Sequence, residues 1–385
     1  MKLNNYIKIQ FSKNKNIKIN HTYLKEQFSD YHKIFREITK IVKKGDYTLG
    51  EQVDIFEKNI AKRMMSKFAI AVGNGTDALY LILKAFNIGR GDEVITVPYT
   101  FVATTASIVT AGAKPVFVDI KKDYNIDENK IEAAITKRTK AIMPVHWAGK
   151  PCELNKIFQI AKKYNLKIIQ DSSHAIDTRY YGNSIVKYGD ACTFSMHPLK
   201  NLNVWGDGGF ILTNNFLLAK KLCLIRNHGL KDRNNCEVFS YNSRLDTIQA
   251  AVANYKLKYK LTNITNKRIK NAKLFDQLFS QNHNIITVPR NKNIKEVFHL
   301  YHINLKHSRN DLLKYLLSKN IDAKIHYPIP IHLQKASKFL KYKRGDFPVA
   351  EHMADTSLSL PVHEFIKKRD IFYVVKMIEK FYSKF

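Results

Sequence analysis

The sequence predicts an α/β fold, a mainly parallel central sheet with helices on both faces, followed by a smaller C-terminal α+β unit. Two observations predict it. From Phe68 short apolar runs alternate with helical stretches: "FAIAVG" then "GTDALYLILKAFNI", "EVITV" then "FVATTASIVTAG", "PVFVDI", "KAIMPVHW", "LNKIFQIAKKYN" then "LKIIQDSS". Buried parallel strands joined by crossover helices give this rhythm. After about residue 260 the rhythm changes to an amphipathic helix, "NKRIKNAKLFDQLF", a strand, "HLYHINL", and another helix, "RNDLLKYLLSKN". The expected division is a helix and arm over residues 1–40 packing near the smaller unit, a large α/β unit over 41–260 and the smaller unit over 261–385.

At 385 residues and 45% apolar composition the chain is long enough to bury a substantial core. Its 64 lysines and arginines against 33 acidic residues leave a net charge of +31. Lysines are scattered beside asparagine and isoleucine, as in "KNKNIKIN" and "NKNIKEV", and no zinc finger, basic zipper or RNP pattern accompanies them. The charge therefore reads as a chain-wide compositional bias; the alternative is help in gathering an anionic substrate, which a basic field would favour over reading nucleic acid. No apolar run reaches membrane-spanning length, and "MKLNNYIKIQFSKNKNIKIN" lacks the apolar centre of a secretory signal. The expectation is a cytoplasmic protein without membrane insertion. Cys152, Cys192, Cys223 and Cys236 form no CxxC pair and no cluster with metal-ligand spacing, so they are expected reduced and structural, with no metal.

In open α/β sheets ligands lie beyond the carboxyl ends of the strands. Three stretches fall there. In "GNGTDALYLIL" Gly75 and Thr76 open a helix directly after a strand, where unpaired backbone amides, a hydroxyl and the helix dipole all favour a phosphate. An ordinary threonine cap with a turn glycine would look the same. In "LKIIQDSSHAIDTRYYG" Asp171 closes an apolar strand, costly for a carboxylate unless a cation faces it, although an Asp capping the next helix is an alternative. His174 follows three residues on and could equally be a buried, satisfied imidazole. In "CTFSMHPLKNLNVWGDGG" Ser195 ends a strand, Lys200 follows, and "GDGG" lets the backbone turn without side-chain bulk.

Anion site, carboxylate and lysine in this order are what a pyridoxal-phosphate pocket requires: phosphate on a helix N-terminus, ring nitrogen paired with Asp171, aldehyde carbon bonded to Lys200. Lys200 would then also move the α-proton, which requires deprotonation near neutral pH and hence burial beside apolar or cationic neighbours.

At these residues the chain resembles the DegT/StrS-type sugar aminotransferases, of the aspartate-aminotransferase fold known as fold type I. The likeness runs from "YTLGEQVDIFEKNIA" to "LSLPVHEF", through "GNGTDALYL", "VPYTFVATTASIVTAGAKPVFVDI", "PVHWAGKP", "TFSMHPLKNLNVWGDGG", "YNSRLDTIQAA" and "HYPIPIHLQ". The resemblance implies that Lys200 is the Schiff-base lysine and Asp171 the pyridinium partner. It implies that Phe101 stacks on the ring and that Gly75, Thr76 and Ser195 hold the phosphate. Asn242 matches an asparagine that reaches the cofactor phosphate from the neighbouring subunit, which implies a homodimer with shared sites. The helix expected from "RLDTIQAAVANYKL" just after it is amphipathic, with small residues that permit close packing. His174 stands where many relatives carry glutamine, in contact with the ring hydroxyl. The region of "IHYPIPIHLQ" lies close to the sugar in the family, which makes His326, Tyr327 and His332 substrate candidates; its prolines would also suit a rigid connection. Arg244 is a further candidate, or only an interface residue.

The implied activity is transfer of an amino group, from glutamate, to a keto or aldehyde carbon of a nucleotide-linked sugar in cell-surface polysaccharide or glycan synthesis. A free oxidised eight-carbon sugar acid in lipopolysaccharide synthesis is the alternative acceptor, and the motifs do not separate the two. Dehydratase relatives replace the Schiff-base lysine by histidine, whereas this chain has Lys200, and His197 does not occupy that position. A DNA-binding regulator would have no reason to keep Lys200, Asp171 and Ser195 together.

Overall fold

The computed structural model describes residues 17–383, so residues 1–16 of the expected arm lie outside the description. Three helices come first: α1 (Leu24–Gln27), α2 (Tyr31–Lys44) and α3 (Glu51–Met64). The chain then enters the large sheet through β1 (Phe68–Val72), β2 (Glu93–Thr96), β3 (Lys114–Phe117), β4 (Thr139–Ile142) and β5 (Lys167–Asp171). After a short excursion, β6 (Arg179–Tyr180) and β7 (Asn183–Ser184), it returns as β8 (Ala191–Ser195) and β9 (Gly209–Thr213). The order across the sheet is β1-β9-β8-β5-β4-β2-β3. Only β9 runs against the rest, pairing antiparallel with both β1 and β8. That reversal lets a loop rather than a helical crossover join β8 to β9, and this loop carries Lys200.

Helices α4 (Gly75–Ala85), α5 (Val102–Thr110), α6 (Leu154–Lys163), α7 (Phe216–Ile225) and α8 (Thr247–Tyr259) cover both faces. The strand residues sort by the two-residue period of the pleat. In β1, Ala69 and Ala71 enter one core with Val53 and Phe56 of α3 and Val252 of α8, while Ile70 and Val72 enter another with Leu79 and Ile82 of α4 and Leu222 of α7. In β9, Phe210 and Leu212 face the first core and Ile211 the second. Helix α8 differs from the one-faced helix expected. Ala250, Ala251, Val252 and Ala253 are buried in succession, because α8 is enclosed by α2, α3 and α9 (Leu261–Phe279).

A second, antiparallel sheet follows, ordered β10 (Ile285–Thr287), β12 (Tyr301–Leu305), β13 (Ser357–Leu360). Between β10 and β12, β11 (Ile294–Lys295) reaches back to pair with β6. The second sheet shares its core with α9, α10 (Arg309–Ser318) and α12 (Lys368–Tyr382). Two segments pack away from the unit the sequence expected for them. Phe347 and α11 (Pro348–Thr356) join Phe117 and Trp147 against the large sheet. Helix α2 inserts Ile34 into the α3–α8 core, whereas Ile19 upstream packs with the second sheet. Among the described residues no helix is long and apolar enough to cross a membrane.

Gly209 opens the reversed strand where it touches the turn before α4. A Cβ there would lie 2.5 Å from the Asn74 carbonyl oxygen and 2.8 Å from the Gly75 nitrogen, backbone atoms that cannot yield. Gly209→Ala is expected to cost roughly 1–3 kcal/mol by overpacking, read as a lowered Tm. An unchanged Tm would contradict the close approach.

Candidate active site

A cavity of about 870 Å³ opens at the carboxyl ends of the parallel strands. It gathers Gly75, Thr76, Phe101, Asp171, His174, Ser195, Lys200, His326 and Tyr327, residues far apart in sequence. Asn242, Arg244 and His332 do not line it.

Helix α4 starts at Gly75 with Asn74 as its cap: the Asn74 side chain accepts from the Asp77 amide at 2.8 Å. Thr76 is therefore the second helical residue and not the cap; the Asn74-x-x-Asp77 spacing carried that signal. The amides of the first turn have no partner within the helix, and they face the cavity beside Ser195. A Cβ at Gly75 would stand 2.8 Å from the Ser195 Cβ, so glycine is what lets the helix start approach the end of β8. Amides, hydroxyl and dipole there form the cradle a phosphate needs.

Asp171, the last residue of β5, is fixed at both carboxylate oxygens. Thr104 Oγ1 donates to Oδ2 at 2.8 Å and the Ser173 amide to Oδ1 at 3.1 Å. No helix follows it, so the capping alternative does not apply. Thr104 is held in turn by Thr100, with hydroxyls 2.8 Å apart. Nothing in the sequence marks Thr104 as a site residue, because a threonine inside a helix has no distinctive pattern.

Lys200 sits in the β8–β9 loop, closed at its base by Met196 N–H to Gly208 O at 2.7 Å and Val204 N–H to Met196 O at 3.0 Å. Asn203, fully buried, donates to the Pro198 carbonyl, and the Lys200 amide donates to His197 O at 2.8 Å. Lys200 lines the cavity, and desolvation pushes its ammonium pKa down to about 8, with the Asp171 charge opposing the fall. The sequence expected a deprotonatable lysine, and the physical cause is burial rather than a neighbouring cation.

His174 accepts from the Ala148 amide at Nδ1, 3.3 Å, which leaves its proton on Nε2. Burial, then the Lys200 charge, hold it well below the usual imidazole range, so it is a neutral donor. His299, unmarked in the sequence, lies against it with ring centres 4.3 Å apart. Phe101 precedes α5 with 53% of its surface exposed, its ring 5.8 Å from that of Tyr327. His326 donates or accepts at Ser359 Oγ, 2.9 Å, and burial lowers its pKa strongly. His332 is a correction. It is 2% exposed, bonded through Nε2 to Glu351 at 3.0 Å and packed on Phe347, which makes it a core residue of the connection. Arg244 donates to Asn227 Oδ1 at 2.9 Å. Asn242 is exposed and bridges Asn227 in the segment leading to Ser243, whose hydroxyl donates to Asp77 at 2.7 Å.

Among the described residues no group of acidic, histidine and cysteine side chains is placed to hold a metal. The donor set fits pyridoxal phosphate: a phosphate cradle at α4, a carboxylate oriented by two donors, and a lysine of lowered pKa.

Comparison with known proteins agrees. The sequence profile of the DegT/DnrJ/EryC1/StrS aminotransferase family matches residues 29–379. The chain is 40% identical to the pleiotropic regulatory protein of Geobacillus stearothermophilus, over 94% of this chain and 98% of that one. It is 38% identical to the dTDP-3-amino-3,6-dideoxy-alpha-D-galactopyranose transaminase of Aneurinibacillus thermoaerophilus, over 94% and 97%. The crystal structure of Streptomyces venezuelae DesV with a ketimine intermediate superposes with a TM-score of 0.91 at 31% identity, covering 94% of this chain and 98% of that one. The fold is thus fold type I and the cofactor pyridoxal phosphate.

Two changes test the electrostatics. Competitive acetylation of the cofactor-free protein should show the Lys200 amine titrating near pH 8, and Asp171→Asn should move that midpoint lower by removing the carboxylate that favours the ammonium. The same variant is expected to lose turnover roughly a thousandfold, about 4 kcal/mol. A midpoint that stays put or rises on substitution would show that Asp171 does not face Lys200.

Proposed function

The chain belongs to the DegT/DnrJ/EryC1/StrS aminotransferase family, and we propose that it transfers an amino group from glutamate to a keto or aldehyde carbon of a nucleotide-linked sugar, working as a homodimer with shared sites. The observation that carries this reading is a single cavity holding Lys200, with its pKa lowered to about 8, opposite the doubly anchored Asp171 and the start of α4. Pyridoxal phosphate supplies an electron-withdrawing ring that stabilises charge at the carbon bearing the transferred nitrogen. Asp171 holds a proton at the ring nitrogen. Lys200 Nζ would hold the cofactor and, once displaced by the donor's incoming amino group, would be the free amine that takes and returns the α-proton, work for which a pKa near the operating pH is suited. Ser195, Gly75 and Thr76 would hold the phosphate, His174 would donate through Nε2 to the cofactor, and Phe101 would pack against it. His326 and Tyr327 stand on the substrate side.

The name of the Aneurinibacillus relative, a dTDP-sugar transaminase, favours a nucleotide-linked acceptor over a free eight-carbon sugar acid. Lysine rather than histidine at 200 favours amino transfer over dehydration. The exposed position of Asn242, off the cavity of its own chain, supports its reaching a partner's phosphate.

Glutamate is expected to convert the loaded enzyme to its amine form, read by absorbance, and a panel of keto-sugars, nucleotide-linked and free, should identify the acceptor by reversing that change. Borohydride should fix the cofactor to the peptide containing Lys200; a label on another lysine would refute the assignment.

Shared sites have their own test. Lys200→Ala and Asn242→Asp chains are each expected to be inactive, the latter by setting a carboxylate against the phosphate. Mixed under subunit exchange, they should form heterodimers with one intact site and regain activity. Proven exchange without recovery would place Asn242 in its own subunit's site.

A further inference from the structure

Residues 19–24 cross the cavity as a strap fastened at both ends. Ile19 pairs with Ile321, the Asn20 carbonyl accepts from His363 Nε2 at 2.9 Å, and the His21 amide donates to Asp322 Oδ2 at 3.3 Å. Tyr23 stacks on His363 with ring centres 4.3 Å apart, and the Arg268 guanidinium lies 5.2 Å from the Tyr23 ring centre. At the end of α1, Gln27 ties the strap to Glu364 at 3.3 Å and to Asn203, in the Lys200 loop, at 2.5 Å. Segments near a terminus fray unless tied down, and this one is tied by backbone and side-chain bonds to three elements. Its four residues His21 to Leu24 line the cavity in fixed positions.

The chemistry of that wall is neutral and polar. The His21 Nε2 is buried without a hydrogen-bond partner, a state a ligand can relieve. Burial, with Lys324 and His363 next in effect, keeps the imidazole uncharged. The two cations beside it are met by carboxylates: Lys324 by Asp322 at 2.6 Å and Arg268 by Glu364 at 3.3 Å. Such a surface suits a hydroxyl or acylamino group and offers little to a phosphate or carboxylate. It also faces the reacting centre. The His21 ring is 5.5 Å from that of His326, which itself lies close enough to Lys200 to feel its charge.

We propose that the strap is a sugar-recognition subsite in which His21, with Thr22 beside it, binds a neutral hydroxyl or acylamino group of the acceptor ring. The proposal rests on the sugar-aminotransferase reading above. Selection by this wall falls on the acceptor, because glutamate's remote group is a carboxylate.

The test compares holoenzyme binding of UDP and UDP-N-acetylglucosamine, and of dTDP and dTDP-glucose, by calorimetry, in the wild type and in His21→Leu, His21→Gln and Thr22→Val. The sugar should tighten binding over the bare nucleotide about tenfold in the wild type for at least one pair. His21→Leu should erase most of that margin, Thr22→Val part of it, and His21→Gln, which keeps a hydrogen-bonding side chain, should retain it. The cofactor absorbance and Tm report whether each variant is folded and loaded. A margin that survives in both His21→Leu and Thr22→Val, or an absent margin in a wild type that does take an amino group from glutamate, overturns the subsite. A wild type that takes no amino group from glutamate, glutamine or aspartate overturns the function proposed above and this proposal with it.

Discussion

The site depends on one steric constraint, the mutual approach of three backbone segments at Gly75, Ser195 and Gly209. Gly209 sits against the Asn74 carbonyl and Gly75 against Ser195, with no space for a methyl group at either glycine. Because β9 is antiparallel to both neighbours, its first residue lies level with the last residue of β8 and the last of β1. That register puts the start of α4, the Ser195 hydroxyl and the base of the Lys200 loop at one corner of the cavity. A Cβ at either glycine would push the phosphate cradle away from the lysine, so the chemistry is set by packing before any charge is considered.

Given that geometry, the electrostatics follow from desolvation. Burial disfavours the Lys200 ammonium although Asp171 stands near. The imidazoles close enough to feel its charge, His174, His299 and His326, are all held in the neutral form, with burial the leading cause in each. Three further cations so near Lys200 would repel one another and the ammonium; three neutral rings supply donors and acceptors without that cost. Asp171 and Lys200 then carry charge without competition from these rings, which is where a charged ring and a moving proton require it.

How much of this was legible in the sequence follows from the range of the interactions involved. Strand ends and helix starts are local, so Asp171, Ser195, Lys200 and the opening of α4 stand out in short stretches. The cap of α4 was legible too, since Asn74 precedes Asp77 at capping-box spacing, although Thr76 two residues on is also a residue type that caps helices. His332 misled because a histidine beside two prolines looks the same whether it faces a substrate or Glu351; only the fold of residues 331–354 onto the large sheet decides, and that packing has no periodic signature. The strap was invisible for a stronger reason. Its partners, Ile321, Asp322 and His363, lie some 300 residues away, and residues 19–24 follow no two- or 3.6-residue period. Likewise Thr104 matters only through a bond to a residue 67 positions on.

The segment around Asn242 closes the argument about assembly. It leaves the body of the molecule after α7, turns back through the Leu230–Cys236 bridge, and carries Val238, Phe239 and Tyr241 on its surface, with Phe239 98% exposed. Burying such side chains is favourable at about 25 cal/mol per Å² of apolar surface, and a group of exposed apolar residues interrupted only by Ser240 would suit the interface proposed above. Tyr241 already leans edge-on against Tyr80 of α4, at 5.2 Å between ring centres, and Ser243 is bonded to Asp77 in the first turn of that helix. The segment is therefore anchored on the helix whose start is proposed to hold the phosphate, while Phe239 projects outward. In the proposed dimer, pairing would bury that tip and deliver Asn242 to the partner, so that cofactor binding and association would stabilise each other through the same few residues.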